Sequence, residues 1–407
     1  MKILQINCWF DSGSTGKIVY ALHQYLKKQG DDSYVIYGMG QKSDDPHAFR
    51  TTSNLVRKAQ SFCSRITGYP YGGCCYGTAV ALKHIKDINP DVVHIQCMNG
   101  YMVNIYRILA YLKVHKIPTV ITNHAEFMYT GGCTHAVECN KWKTGCHDCN
   151  KISKEHPVSY FFDRTEKEWK LMYQACKGFD DLYVCNVSKW LNDRACQSPF
   201  YEGHKVITVH NGLDTNVFHY TPDENVKESA QAEGKPIVIH VTPGFYSSIK
   251  GGSHVIEMAN RMKDVTFLVV GSEKDTSIPM PSNLHFAGRV DDQINLAKYY
   301  SISDVCLLTS IRETFSMVTA ESLCCGTPVV GFKAGGPETI AIPEYSSFVD
   351  QGDDDELEKK LREMLKKKVD KKELSHLACP KYSDQTMCET YRGIYQEMLQ
   401  SKTLRSS

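Results

Sequence analysis

Residues 305–330 read VCLLTSIRETFSMVTAESLCCGTPVV, and this stretch decides the fold. The apolar run Val305 to Leu308 has the length of a buried strand, a polar loop follows it, and a helix-period segment leads to a second apolar run at Pro328 to Phe332. Strand, loop, helix and strand in that order make a unit of parallel sheet, because parallel strands need a crossover and a helix usually supplies it. Glu313 falls at the carboxyl end of the first strand, where open α/β sheets bind ligands. Glu321 is expected about two helical turns later on nearly the same face. Ionised carboxylates accept hydrogen bonds at several lone pairs, so two placed this way can grip different hydroxyls of one elongated sugar or ribose. The amides of Thr314, Phe315 and Ser316, read as opening the helix, can serve oxygens of the same ligand.

The same alternation extends in both directions. Strands are expected at Lys2 to Cys8, Ser33 to Tyr37, Asp91 to Gln96, Thr119 to Asn123, Leu182 to Val187 and Val206 to His210, with a second series at Ile237 to Val241, Thr266 to Val270 and the two runs above. Ile18, Leu22, Tyr25 and Leu26 share one face of a helix expected to start just after Gly16. The polar segment Thr221 to Lys235 separates the two series as a loop or linker. The resulting division is 1–215, 216–382 and a last helix at 383–407, with Met387, Tyr391, Ile394, Tyr395 and Met398 on its buried stripe and a frayed tail. Asp353 to Val369 reads as a charged amphipathic helix.

Bulk properties narrow the function. A length of 407 residues favours two α/β domains, and 42% hydrophobic with 23% charged residues is ordinary globular composition. A net charge of +1 argues against a dedicated nucleic-acid binder, which needs clustered cations for counterion release. The opening MKILQINCWF is too short and polar for a secretory leader and no later run reaches membrane-spanning length, so a cytoplasmic protein is expected.

Three further stretches carry chemistry. Gly13, Ser14, Thr15 and Gly16 follow the first strand and open a helix, so their amides can receive a phosphate, although a tight turn without ligand reads equally well. Lys250, in the loop after Ile237 to Val241, is a cation suited to the charge that builds on a departing diphosphate. His124 sits at the carboxyl end of a strand, where it can hydrogen-bond a sugar hydroxyl. Cys133, Cys139, Cys146 and Cys149 lie within the segment 130–150 and end in C-x2-C. That spacing fits a structural zinc site, with free thiols or a redox or iron–sulfur site as the alternatives, and His135 or His147 as a substitute ligand. Lys141, Trp142 and Lys143 are candidates to touch acceptor or membrane, or form a solvated face.

The Glu313 to Glu321 stretch with its trailing G-T-P-V-V resembles the E-x7-E signature of glycosyltransferase family 4, and Val206 to Phe218, Gly335 to Glu338 and Lys250-Gly251 match further segments of that family in order. The resemblance implies a GT-B fold: an α/β protein of two Rossmann-like domains whose parallel sheets face a central cleft, with the last helix crossing back to the first domain. It implies a retaining hexosyltransferase that needs no metal or other cofactor for catalysis. Glu313 would contact the donor sugar, Glu321 the ribose, Lys250 the leaving diphosphate and His124 the donor sugar. Relatives often carry an arginine upstream of the lysine; Phe245, Tyr246 and Ile249 stand there instead, which leaves Arg289 as a candidate second cation or a structural residue. A T-G-G-C insertion like this one occurs in transferases of capsule, exopolysaccharide and O-antigen assembly. The implied partners are a UDP- or GDP-sugar and a glycan or lipid-linked acceptor, with peripheral membrane contact at the inner face of the cell membrane. A nucleotide-sugar hydrolase or epimerase, and a zinc-containing binding module, remain as alternatives.

Overall fold

The computed structural model describes residues 1–150, 159–229 and 234–406. The chain divides into two compact units, Met1–His210 with Met387–Ser407, and Asn211–Thr386. Part of the expected linker, residues 230–233, lies outside the described residues; just before it Glu224–Ser229 forms a short helix.

The first unit holds strands β1 (Lys2–Trp9), β2 (Asp32–Met39), β3 (Ala48–Arg50), β4 (Val92–Cys97), β5 (Thr119–Asn123), β6 (Leu182–Asn186) and β7 (Lys205–Thr208). They form one sheet in the order β3-β2-β1-β4-β5-β6-β7, and every pairing is parallel. Parallel strands are covered on both faces by their crossovers, which is why they read as nearly unbroken apolar runs. One face packs Ile18, Leu22 and Leu26 of the helix Gly13–Lys28 against Ile3, Val92 and Val120. Met387, Tyr391, Ile394, Tyr395 and Met398 of the helix Asp384–Ser406 join the same cluster, the stripe expected from their spacing. That helix continues through residues 401–406, where fraying was expected.

The second unit repeats the plan with β8 (Ile237–Val241), β9 (Thr266–Val270), β10 (Leu284–Gly288), β11 (Val305–Leu308), β12 (Val329–Phe332) and β13 (Ser346–Val349), ordered β10-β9-β8-β11-β12-β13 and all parallel. Val238, Phe267, Val305 and Val330 form its core with Val255 and Met258 of the helix Gly252–Arg261 and Leu357 and Leu361 of the helix Asp354–Lys366. Each sheet reverses its strand order once, between β1 and β4 and between β8 and β11. Adjacent crossovers leave in opposite directions at such a point and open a crevice at the carboxyl ends of the strands.

Candidate active site

In the second unit the loop after β8 is laced to the loop after β11. Thr309 Oγ1 donates to the Lys250 carbonyl at 2.8 Å and the Ile311 amide donates to the Ile249 carbonyl at 2.9 Å. Gly251, at φ +67°, makes this approach possible, since a Cβ there would lie 2.3 Å from the Thr309 oxygen. The lacing brings Lys250 Nζ to 2.6 Å from Glu313 Oε1, with the two side chains 34% and 22% exposed. Glu313 is fixed from its other side, its amide donating to the Ala334 carbonyl at 3.0 Å and its carbonyl accepting from the Gly336 amide at 2.8 Å. The ion pair thus joins the ends of β8, β11 and β12 beside the crevice, within reach of solvent.

The helix after Glu313 starts later than its sequence suggested. Ser316 adopts φ 76° and its Oγ accepts from the Thr319 amide at 3.2 Å, which makes it the N-cap of Met317–Cys324. Thr314 and Phe315 therefore belong to the loop, with Phe315 buried in the core. Glu313 and Glu321 are accordingly not two positions on one helical face: the first stands in the loop and the second in the helix, where its Oε2 accepts from the Tyr300 hydroxyl at 3.0 Å. Arg289 follows β10 and lies on the exposed surface, its Nε donating to Asp291 at 2.7 Å. Gly335 and Glu338 close a turn beside Glu313, the Gly335 amide donating to the Glu338 carboxylate at 2.8 Å.

In the first unit the helix after β1 begins at Gly13, four residues before the expected start, with Ser12 at the N-cap. Asp11 and Gly13 take positive φ of 58° and 67° to turn the chain. Gly13, Ser14 and Thr15 line a cavity of about 360 Å³ at the β1/β4 crevice with Cys8, Cys97, Asn99 and Arg57. Both thiols donate to Asn99 Oδ1, at 3.2 and 3.0 Å.

His124, just past β5 on the same carboxyl edge, heads a chain of buried hydrogen bonds. Its Nε2 donates to Gln96 Oε1 at 2.8 Å, and Gln96 Nε2 points to His94 Nδ1 at 3.4 Å. His94 Nδ1 accepts from the Tyr395 hydroxyl at 2.6 Å, while its Nε2 bonds Thr122 Oγ1 at 2.7 Å, which meets the Tyr391 hydroxyl at 3.0 Å. With the Gln96 carbonyl facing it, His124 carries its proton on Nε2, and Nδ1 is the basic nitrogen. Burial holds His124 neutral by pushing its pKa down to about 4, and burial followed by the nearby His124 takes His94 down to about 3. Sequence reading missed this relay, although His94 and Gln96 are polar residues two apart in an otherwise apolar strand, and so share a face.

Glu126, two residues on, is a structural anchor. It is fully buried; Oε1 accepts from Arg194 Nε and the Tyr129 hydroxyl, each at 2.8 Å, and Oε2 accepts from the Ala136 amide at 2.7 Å. The Arg194 guanidinium lies over the rings of Trp142 and Trp190 at 5.3 and 5.1 Å. Trp142 is thereby buried, not presented to acceptor or membrane, and Lys141 is turned onto the carbonyls of His147 and Asp148. Cys133 shares a side-chain hydrogen bond with Cys149 and feels Cys146 and Cys139 electrostatically, and the Gly131 amide donates to Cys146 Sγ at 3.2 Å. Among the described residues no group of three or more His, Cys, Asp or Glu side chains is arranged to hold a metal ion. No described helix is long and apolar enough to cross a membrane.

Two parallel sheets of this order, each with polar side chains at the crevice by its switch point, define the GT-B fold. The sucrose-phosphate synthase of Thermosynechococcus elongatus shares it with a TM-score of 0.68 and 14% identity over 98% of this chain and 99% of that one. Anabaena HepE, solved in complex with UDP-glucose, shares it with a TM-score of 0.65 and 14% identity over 100% of both chains. Residues 15–217 match the model described as Glycosyltransferase Family 4, and residues 222–378 match Glycosyl transferases group 1. The two matches run nearly end to end and mark the chain as a glycosyltransferase family 4-like protein. It is 30% identical over 156 residues to the N-acetyl-alpha-D-glucosaminyl L-malate synthase of Bacillus anthracis, covering 36% of this chain and 40% of that protein. A D-inositol 3-phosphate glycosyltransferase of Mycobacteroides abscessus is 30% identical over 155 residues, or 34% of each chain. The aligned stretch thus spans well under half the length of either curated relative.

Proposed function

We propose that this protein transfers a hexosyl group, with retention of configuration, from a UDP- or GDP-sugar to a glycan or lipid-linked acceptor in surface-polysaccharide assembly. The observation that carries the reading is the Lys250–Glu313 pair at the β8/β11 crevice. An ammonium placed there can stabilise charge developing on a departing diphosphate, and the neighbouring carboxylate can hold sugar hydroxyls. In this reading the ion pair keeps both groups oriented until donor binding separates their tasks. Glu321 serves the ribose, the loop Thr314 to Ser316 offers backbone groups to the donor, and Arg289 turns from Asp291 to supply a second cation. His124 contacts the donor sugar, and the Gly13 to Gly16 loop offers its amides to the donor's phosphates. The leaving phosphate takes the acceptor proton, so positioning and charge stabilisation do the catalysis and no metal is needed.

The test is a thermal-shift screen of UDP, GDP and their sugars, followed by NMR assignment of the anomeric configuration of any product formed with EDTA present. A specific donor raises the melting temperature by mass action. Stabilisation by NAD or ATP but by no sugar nucleotide would refute the reading, and hydrolysis that ignores acceptor would favour the hydrolase.

A structural zinc is proposed for Cys133, Cys139, Cys146 and Cys149, whose thiols would have to draw closer together than they stand here to share it. The all-sulfur donor set suits zinc, and the amide hydrogen bond onto Cys146 Sγ is the kind that supports a thiolate. Bound metal would cross-link the insertion. Stoichiometric zinc in purified protein and a lower melting temperature after chelation are the expected results; metal-free protein of unchanged stability argues for plain thiols.

A further inference from the structure

Three sulfurs end at the crevice of the first sheet, one from each of three neighbouring strands. Cys8 stands near the end of β1, Met39 ends β2 opposite Trp9, and Cys97 ends β4. The pairing of β1 with β4 skips Gln96, so that Ile6 faces Ile95 while Asn7 faces Cys97. A bulge of this kind re-aims a side chain. Here Cys97 donates to the oxygen that Cys8 also uses, Asn99 Oδ1, at 3.0 and 3.2 Å respectively. Gly100 admits the third sulfur: a Cβ there would lie 2.9 Å from Cys8 Sγ and 2.8 Å from Met39 Sδ, so the missing side chain leaves both facing one small gap. All three residues line the cavity of about 360 Å³ described above, and among the described residues none that lines it is His, Asp or Glu. The cavity favours negative charge, since the helix Gly13–Lys28 begins in its wall and Arg57 Nε is buried without a hydrogen-bond partner.

We infer that Cys8, Cys97 and Met39 bind a Cu(I) ion. Two thiolates and a thioether make a soft donor set, which selects a soft monovalent cation. Zn(II) takes a full tetrahedron of thiolate, imidazole or carboxylate ligands, and this cavity offers it only the two cysteines. Each thiol releases its proton to solvent as its sulfur takes the metal, and copper stays in its monovalent state throughout. Cu(I) held by two thiolates carries a net negative charge, which Arg57 and the helix N-terminus stabilise. Zn(II) on the same pair of thiolates would be neutral and gain nothing from either. The loaded cavity would repel a phosphate from the Gly13 amides. That consequence rests on the proposed function, whereas binding is measured without nucleotide or acceptor and stands or falls separately from the transferase reading.

The test is an anaerobic titration of the full chain with Cu(I) held by the chromophoric chelator bicinchoninate. Other cysteines also take up copper, so each variant is compared with the parent by difference. Cys8→Ser and Cys97→Ser should each retain a single equivalent less than the parent. Met39→Leu keeps both thiols and nearly the same volume, which guards against a folding artefact, and should weaken that equivalent at least about tenfold; Arg57→Gln should weaken it about tenfold through lost charge. An anomalous difference map from crystals grown with Cu(I) should place a peak between the three sulfurs. Equal copper uptake by the parent and both cysteine variants overturns the inference, as does a Met39→Leu protein that binds as tightly as the parent. Displacement of the equivalent by equimolar Zn(II) overturns it as well.

Discussion

Replacing Arg194 with methionine removes the cation opposite a carboxylate that water does not reach. Glu126 Oε1 has Arg194 Nε at 2.8 Å and Nη2 at 2.7 Å, and the guanidinium is only 17% exposed. Breaking a buried pair from one side costs about 3–5 kcal/mol, because the remaining charge keeps its desolvation penalty. The bonds from Tyr129 and Ala136 stay in Arg194→Met, which puts the estimate at the lower end, while the lost contact with two tryptophan rings adds about 1 kcal/mol. For a unit of this size each kcal/mol moves the melting point about 2–4 °C, so a drop of about 10 °C is expected by calorimetry. Because Glu126 ties down the backbone of the Cys-rich insertion through Ala136, limited proteolysis near residues 133–149 should accelerate in parallel. Adding Glu126→Gln to Arg194→Met should recover part of the loss, since no uncompensated charge is then buried. A single variant within about 1 kcal/mol of the parent, or a double variant worse than the single, would refute this account.

Lys250→Ala and Glu313→Gln should each lower turnover with a sugar nucleotide by at least about a hundredfold while the melting temperature stays near the parent's, the signature of charge stabilisation lost from a partly exposed pair; steady-state kinetics beside calorimetry decide it. The buried His94 and His124 have lowered pKa values, so the stability they contribute is fully present above about pH 6.5 and is lost as pH falls toward about 4. Urea unfolding across that range should show the decline, and Gln96→Leu should alter the ring-nitrogen NMR shifts that report the His124 tautomer. Glu168 runs the other way. Burial raises its pKa to about 9, one oxygen meets the Tyr106 hydroxyl and the other is buried without a partner. The stability it contributes is complete below its unfolded value of about 4.5 and disappears as pH rises toward 9. Glu168→Gln should therefore gain on the parent between mildly acidic and alkaline pH, and a constant difference in melting temperature would contradict the assignment.

The long apolar strands were legible because a parallel sheet demands uninterrupted runs, and Ile237 to Val241, Thr266 to Val270 and Val305 to Leu308 fall where their composition puts them. The strands that escaped notice, β3, β10 and β13, are short edge or near-edge pieces of mixed polarity, stabilised by a neighbour and not by their own pattern. The helix Lys371–Tyr382 also went unread, having Pro380 inside it and little apolar periodicity, although the Asp370 carboxylate caps it onto the amides of Lys372 and Glu373. At the site, the types and order of Lys250, Glu313 and Glu321 were readable. Their contacts were not, since the lacing of two loops through Thr309 and the positive φ of Ser316 depend on strand ends that are far apart in sequence.

The helix that completes the first unit is translated after the whole of the second. Ile3, Val92 and Val120 therefore emerge from the ribosome long before Tyr391 and Tyr395 can cover them, whereas residues 211–386 form an uninterrupted segment. Vectorial synthesis ordinarily lets the earlier domain fold first. Here the later one has all its parts sooner, and the nascent chain must keep an unroofed sheet from aggregating until residues 387–407 arrive.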